Sequence, residues 1–361
     1  MDTETPTTPA TGTRARDARP GPPGPRTRLT NAVATALLRP ELTAIVGTIV
    51  VFVYFGLTAG SNGFLTWTGT QNYLEVASEV GIIAIAVTLL LVAGEFDLSV
   101  GSMVGAGAIV SAYAIVEWGL PLWAALVITF AVATAVGTAN WALVVRFGLP
   151  SFIVTLATLF AVRGITVAGT REATGVTQIS GLEEAASGDP LRPLFDGSLF
   201  GLSASIWWWI GLTLVAAWVL DRTRFGNWIY ATGGEQESAR RTGVPVSRVK
   251  WKLFVCTAAM AGLVGVLAAF QVNAAEVTMG DLKEFQTATA AVIGGALLSG
   301  GYGSPIGTFF GALLFGMLNQ GFFFTNVADE WFQAFLGLML VGSVLINRWV
   351  RQYALRREAR A

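Results

Sequence analysis

The sequence predicts an all-α, polytopic membrane protein of about ten transmembrane helices with a weak internal two-fold repeat. Three observations predict it. Of 361 residues, 53% are hydrophobic and only 13% charged, against about 25% charged in a soluble domain. Apolar runs approaching the ~20 residues that a bilayer crossing needs recur from Glu41 to Val350. Lys and Arg gather on alternate connections between those runs, as the positive-inside rule requires of a multi-pass chain.

The chain divides into three parts. Residues 1–40 are rich in Pro, Thr, Gly and Arg, lack apolar periodicity, and read as a disordered cytoplasmic tail. They do not read as a signal peptide, since no apolar run with a cleavage site follows. Residues 41–350 form the transmembrane domain, and residues 351–361 a basic cytoplasmic tail. Spans are expected at 42–60, 76–94, 99–117, 121–145, 150–169, 204–221, 252–270, 285–299, 304–325 and 332–350. Gly and Ser interrupt the third and the eighth.

Placing the tail in the cytoplasm puts Arg14, Arg16, Arg19, Arg26, Arg28, Arg39 and Arg146 there. The inner loop 222–250 adds Arg222, Arg224, Arg240, Arg241, Arg248 and Lys250, with Lys252 beside it. Arg348, Arg351, Arg356, Arg357 and Arg360 follow at the end. The outside receives Arg171, Arg192 and Lys283, while Arg163 lies within a span. Both termini are therefore expected inside. Trp207 to Trp209 and Trp331 are expected at outer membrane edges, Trp251 and Trp349 at inner ones.

Composition excludes several chemistries. There is no His, hence no His metal ligand, base or proton relay. Cys256 is alone, so there is no intrachain disulfide and no Cys cluster. The lysines are Lys250, Lys252 and Lys283, and none stands in G-x-x-x-x-G-K-[ST]. If ATP drives this protein, another chain binds ATP and Mg; no metal and no cofactor are expected here. No G-x-S-x-G nucleophile motif is present, so the chain is not expected to be an enzyme. With a net charge of +0, nucleic acid is not an expected partner.

Two places break the apolar pattern alike. Gly101-Ser102-Met103-Val104-Gly105 and Gly303-Ser304-Pro305-Ile306-Gly307 both read G-S-x-[IV]-G at the start of a new span, on the expected cytoplasmic side. Breaks at corresponding positions of two halves point to transporters built from repeats. Ordinary small-residue packing, extending to Gly311, is the other reading of the glycines.

The richest polar segment is Gly94-Glu95-Phe96-Asp97-Leu98-Ser99-Val100-Gly101-Ser102. A charge at the bilayer centre costs about 2.5 kcal/mol or more, so Glu95 and Asp97 belong in a turn or an interfacial break. Two readings stand for Asp97: N-cap of the following helix, favoured by the free amides and the helix dipole, or direct ligand contact.

This segment resembles the signature of permease subunits from bacterial ATP-binding-cassette importers for monosaccharides, the ribose/xylose/galactose group. Leu149-Pro150-Ser151-Phe152-Ile153-Val154-Thr155-Leu156 resembles the P-x-F-I-V-T-L segment of that family. Phe225 to Gly234 and Glu237 to Val244 resemble its cytoplasmic loop, and Ala291 to Gly301 its late glycine segment. The similarity spans residues 75 to 350. Glu95 departs from the usual glycine and matches the xylose-type branch, and Gln286 stands where an acid is common.

The resemblance implies that 222–250 is the ATPase-coupling loop, with Gly233, Gly234, Glu237, Ala239, Arg240 and Gly243 as its candidate residues. The loop's own sequence agrees. Glu235 to Thr242 has few helix breakers, Gly243 can end a helix left-handed, Pro245 stops it, and Ser247 can cap the next. Arg240 and Arg241 either pair with acids on the ATPase or serve only the inside-positive bias. Candidates for the translocation path or helix breaks are Glu95, Asp97, Ser99, Ser102, Thr155 and Asn319. Asn140, Arg163, Gln271, Asn273 and Gln320 are further polar residues in or near spans, Arg163 placed to snorkel outward.

The expected partners are an ABC ATPase, a solute-binding protein meeting the 170–203 and 271–285 segments, a second permease copy and the lipid bilayer of a bacterial plasma membrane. The expected cargo is a monosaccharide, leaning to a xylose-like pentose. The alternative is an ion-coupled secondary transporter, which should bury acids or His for its ion; only Glu95 and Asp97 offer themselves.

Overall fold

The computed structural model describes residues 40–325 and 329–358, with side chains described over 41–325 and 331–345. The tail expected at 1–40, apart from Pro40, and the side chains of 351–361 lie outside the described residues. The described part is helical almost throughout.

The order is α1 (Pro40–Thr58), α2 (Trp67–Val92), α3 (Val100–Ala112), α4 (Leu122–Trp141) and α5 (Ser151–Thr174), α3 and α4 each running on through a π turn to Glu117 and Arg146. Then come β1 (Gln178–Ser180), the short α6 (Leu182–Ala185), β2 (Ser198–Leu199), β3 (Leu202–Ser203) and α7 (Ala204–Arg222). The loop helices α8 (Arg224–Gly234) and α9 (Gln236–Arg241) follow. After them run α10 (Val246–Gln271), β4 (Ala274–Glu276), α11 (Lys283–Ile293), α12 (Pro305–Phe324) and α13 (Asp329–Glu358).

Local chemistry sets the boundaries. The Thr66 hydroxyl accepts from the Gly69 amide at the head of α2, and the Ser304 hydroxyl from the Gly307 amide at the head of α12. Pro121 and Pro150 sit just before α4 and α5, where a missing N–H costs nothing. Eight described helices are long and apolar enough to cross a membrane.

The helices differ in what they face. In α2 the apolar window is 83% buried and in α10 72%, against 17% in α1 and α5. So α2, α3, α10 and α12 form the centre, and α1 and α5 present apolar side chains such as Val50, Tyr54, Phe160 and Ile165 outward. In a lipid solvent such exposure is stable. Trp209 is fully buried and stacks on Phe309 with centroids 4.0 Å apart.

The expected span 285–299 is corrected. Helix α11 stops at Ile293, and at 11 residues it rises only about 16 Å of the roughly 30 Å core. The cause is local: Gly295, Gly300 and Gly301 take positive φ, which no regular helix tolerates. The last span is α13, whose described apolar part is Trp331–Leu345.

At one end of the bundle β1 pairs antiparallel with β4, joining the two segments expected to face a binding protein. Asn273 clamps this pair, its Oδ1 accepting from the Glu183 amide and its carbonyl from the Gly181 amide.

Candidate functional site

The site is a junction at the opposite end, where the break 93–99, the break 294–304 and the loop helices meet. The first break begins at Gly94, whose φ of +84 turns the chain out of α2. The second approaches it directly: the Gly301 amide donates to the Val92 carbonyl at 2.8 Å. Gly233, at the end of α8, lies against the same carbonyl, and a Cβ on it would sit 1.8 Å from that oxygen. The Tyr230 hydroxyl, also on α8, donates to the Gly303 carbonyl at 3.1 Å. Burial pushes the Tyr230 phenol up to about 12, with the charges of Asp221 and Glu41 adding to the shift. It therefore stays a donor at physiological pH.

A polar chain runs inward from the first break. Asp97 is 1% exposed. Its Oδ1 accepts from the Ser99 amide at 2.9 Å and the Ser99 hydroxyl at 2.6 Å. Its Oδ2 accepts from the Thr257 hydroxyl on α10 at 2.7 Å. Asn140 on α4 donates to the Ser99 hydroxyl at 2.9 Å and accepts from the Thr158 hydroxyl on α5 at 2.7 Å. The Phe96 amide donates to the Ser151 hydroxyl at 3.2 Å, at the first residue of α5. Among the described residues no cation pairs with Asp97; three donors satisfy it, as a buried carboxylate requires. The expected cap is corrected by position: the residue before α3 is Ser99, and Asp97, two residues earlier, accepts from the Ser99 amide and ties the break to α10 through Thr257.

Glu95 points the other way. Its Oε1 lies 2.5 Å from Lys250 Nζ, which also reaches Gln236 Oε1 at 2.6 Å. The side chains of Lys250 and Glu95 are 7% and 11% exposed.

Comparison with known proteins matches this architecture to transporters. A family model described as the permease component of branched-chain amino acid transport systems matches residues 69–344. The chain belongs to this permease family. The permease is 28% identical over 320 residues to the fructose import permease protein of Rhizobium meliloti, covering 87% of both. It is 30% identical over 288 residues to the ribose import permease protein of Escherichia coli, covering 80% of this chain and 88% of that one. It is 27% identical over 366 residues to the xylose transport system permease protein of Escherichia coli, with coverage of 86% and 92%. These homologues are permease subunits of sugar importers rather than ion-coupled transporters.

In the permease, α9 is the helix expected over Glu235 to Thr242. Gly243 ends it at φ +86, with its amide bonded to the Arg240 carbonyl and the Val244 amide to the Ala239 carbonyl; this is the Schellman pattern. Ala239 is buried beneath the helix. Arg240 and Arg241 reach Glu237 on their own helix at 3.9 and 3.6 Å. Ser247 does not cap α10, which begins one residue earlier after Pro245.

Two other path candidates lie beside the first break: Ser102 bonds the Ser99 carbonyl, and Thr155 bonds the Ser151 carbonyl and reaches that of Phe96 at 3.5 Å. Asn319 is half-buried on α12 and far along that helix from its broken end. Gly234 borders Gly301 with no contact that a Cβ would disturb. Arg163 pairs with Asp281 of the 271–285 segment at 2.8 Å.

Sequence reasoning missed Lys250 as more than a loop charge, along with Gln236, Thr257 and Glu284. Lys250 had a signal, a lysine directly before a span. Thr257 had none. Glu284 is buried against Gly101 with Oε2 unpaired. Among the described residues no group of acids, His and Cys could hold a metal ion.

Proposed function

We propose that this permease is the membrane subunit of an ATP-binding-cassette importer for a monosaccharide in a bacterial plasma membrane. The observation that carries the reading is the convergence of the loop helices on both helix breaks, in a chain whose relatives are named for fructose, ribose and xylose import. A chain without a nucleotide loop needs force from outside itself, and α8 and α9 offer a place to receive it.

In this reading both termini and the 222–250 loop are cytoplasmic, since the basic residues concentrate there. ATPase subunits grip the loop and hold ATP and Mg. A solute-binding protein docks on the face built by β1 and β4. Two permease copies, identical or similar, enclose the path. The prominent grooves of the single chain are apolar, one of them lined by Ile109, Tyr113, Val162 and Ile165, and offer little to a sugar. A xylose-like pentose is the first cargo to try, because Glu95 matches the xylose-type wording.

The test is uptake by proteoliposomes holding permease, cognate ATPase and binding protein. Accumulation of labelled xylose, ribose or fructose that requires ATP sustains the reading. Accumulation by the permease alone, driven by a proton or sodium gradient, overturns it.

A further inference from the structure

The break 93–99 is held from two directions. Toward the loop, Glu95 pairs with Lys250 at the base of α10, and Lys250 holds Gln236, the first residue of α9. Toward the bundle, Phe96 holds Ser151, Asp97 holds Thr257, and Ser99 reaches Thr158 through Asn140. Three consecutive contacts thus connect α9 to the head of α5 through residues 95–98, which lie outside any helix. A shift of α9 cannot be absorbed by water around Lys250, because its ammonium is enclosed and both its partners are protein groups. Separating that pair would strand a buried charge, which is strongly unfavourable.

We infer that Glu95, Lys250 and Gln236 form a strut that converts displacement of α9 into displacement of the 93–99 break and, through Asn140, of α5. Lys250 is a positioning residue: it touches no cargo and acts through Glu95. The inference rests on the importer reading and names the side chains that carry force there. It gives Glu95 a purpose that a glycine at the same position could not serve. The plain alternative is a static clamp, whose loss lowers stability but leaves each ATP as productive as before.

The test measures sugar taken up per ATP hydrolysed in proteoliposomes of the full complex. Wild type is measured first; absence of ATP-dependent uptake there refutes the importer reading and the strut together. Given wild-type uptake, Gln236→Ala and Lys250→Met lower the ratio about tenfold, while hydrolysis stimulated by the binding protein continues. Lys250→Arg keeps the charge and reach and restores most of the ratio. The exchange Glu95→Lys with Lys250→Glu guards against a simple folding defect, since it retains the buried pair. An unchanged ratio in Gln236→Ala, or uptake and hydrolysis falling in equal proportion in all variants, overturns the strut.

Discussion

A Cβ on Gly233 would stand 1.8 Å from the carbonyl oxygen of Val92. That oxygen already accepts from the Gly301 amide, so it has no freedom to retreat. Three segments distant in sequence therefore meet through bare backbone, and the loop helix α8 touches both breaks with no side chain between them.

Gly233→Ala should push α8 off this junction. The obstacle is backbone, so we expect a loss of about 1–3 kcal/mol, read as a lower melting temperature in detergent, together with loss of ATP-dependent uptake. Gly234→Ala is the control. A methyl there meets nothing within 4 Å and should change neither quantity.

Gly243→Val tests the loop end. The backbone there has φ +86 and open space around it, so the penalty is strain alone, at least about 1–2 kcal/mol. Membrane insertion should be normal and coupled uptake impaired. Gly243→Asn, which tolerates this conformation, should recover uptake. Normal transport by the Val variant would remove α9 from the coupling role.

Asp97→Ala removes the carboxylate that accepts from the Ser99 amide and hydroxyl and from Thr257, whose hydroxyl keeps the Phe254 carbonyl. Losing a buried acceptor of this kind costs about 1–3 kcal/mol. Expression and melting temperature should fall while the ranking of competing sugars stays the same. A changed ranking at unchanged expression would make Asp97 a ligand contact instead.

Tyr230→Phe removes the donor to Gly303 and should cost about 1 kcal/mol. The pH dependence has a definite sign. The folded-state phenol titrates at about 12, above its ordinary 10.0, so the fold holds this proton more tightly than the unfolded chain. Stability from Tyr230 is complete below pH 10.0 and is lost as pH rises toward about 12. Melting curves of the two proteins should therefore converge over that interval. A constant gap would place the hydroxyl in water.

The helix breaks were legible because glycine and paired acids interrupt apolar runs, and α9 because Gly243 closes it. Only the first part of the second break, 294–299, was read as the end of a span, since Ala and Leu there are apolar whether or not they are helical; the positive φ of Gly295, Gly300 and Gly301 shows that α11 has already ended. Helix α8 was missed for the opposite reason. Its glycines look like breakers, but Gly233 serves close approach to α2 and Gly226 to the end of α7.

Composition and the spacing of apolar runs determined by themselves that this chain lies in a bilayer, roughly how often it crosses, and which connections are basic. These follow from the cost of placing backbone and charge in hydrocarbon, which acts on each segment separately. The tertiary structure alone decided that Lys250 meets Glu95, that Asp97 faces Thr257, and that Gly233 rests on Val92. Such pairs lie from one end of the chain's core to the other, and nothing local encodes them. They exist because small residues let helices close until the few polar groups left inside have only one another to bond.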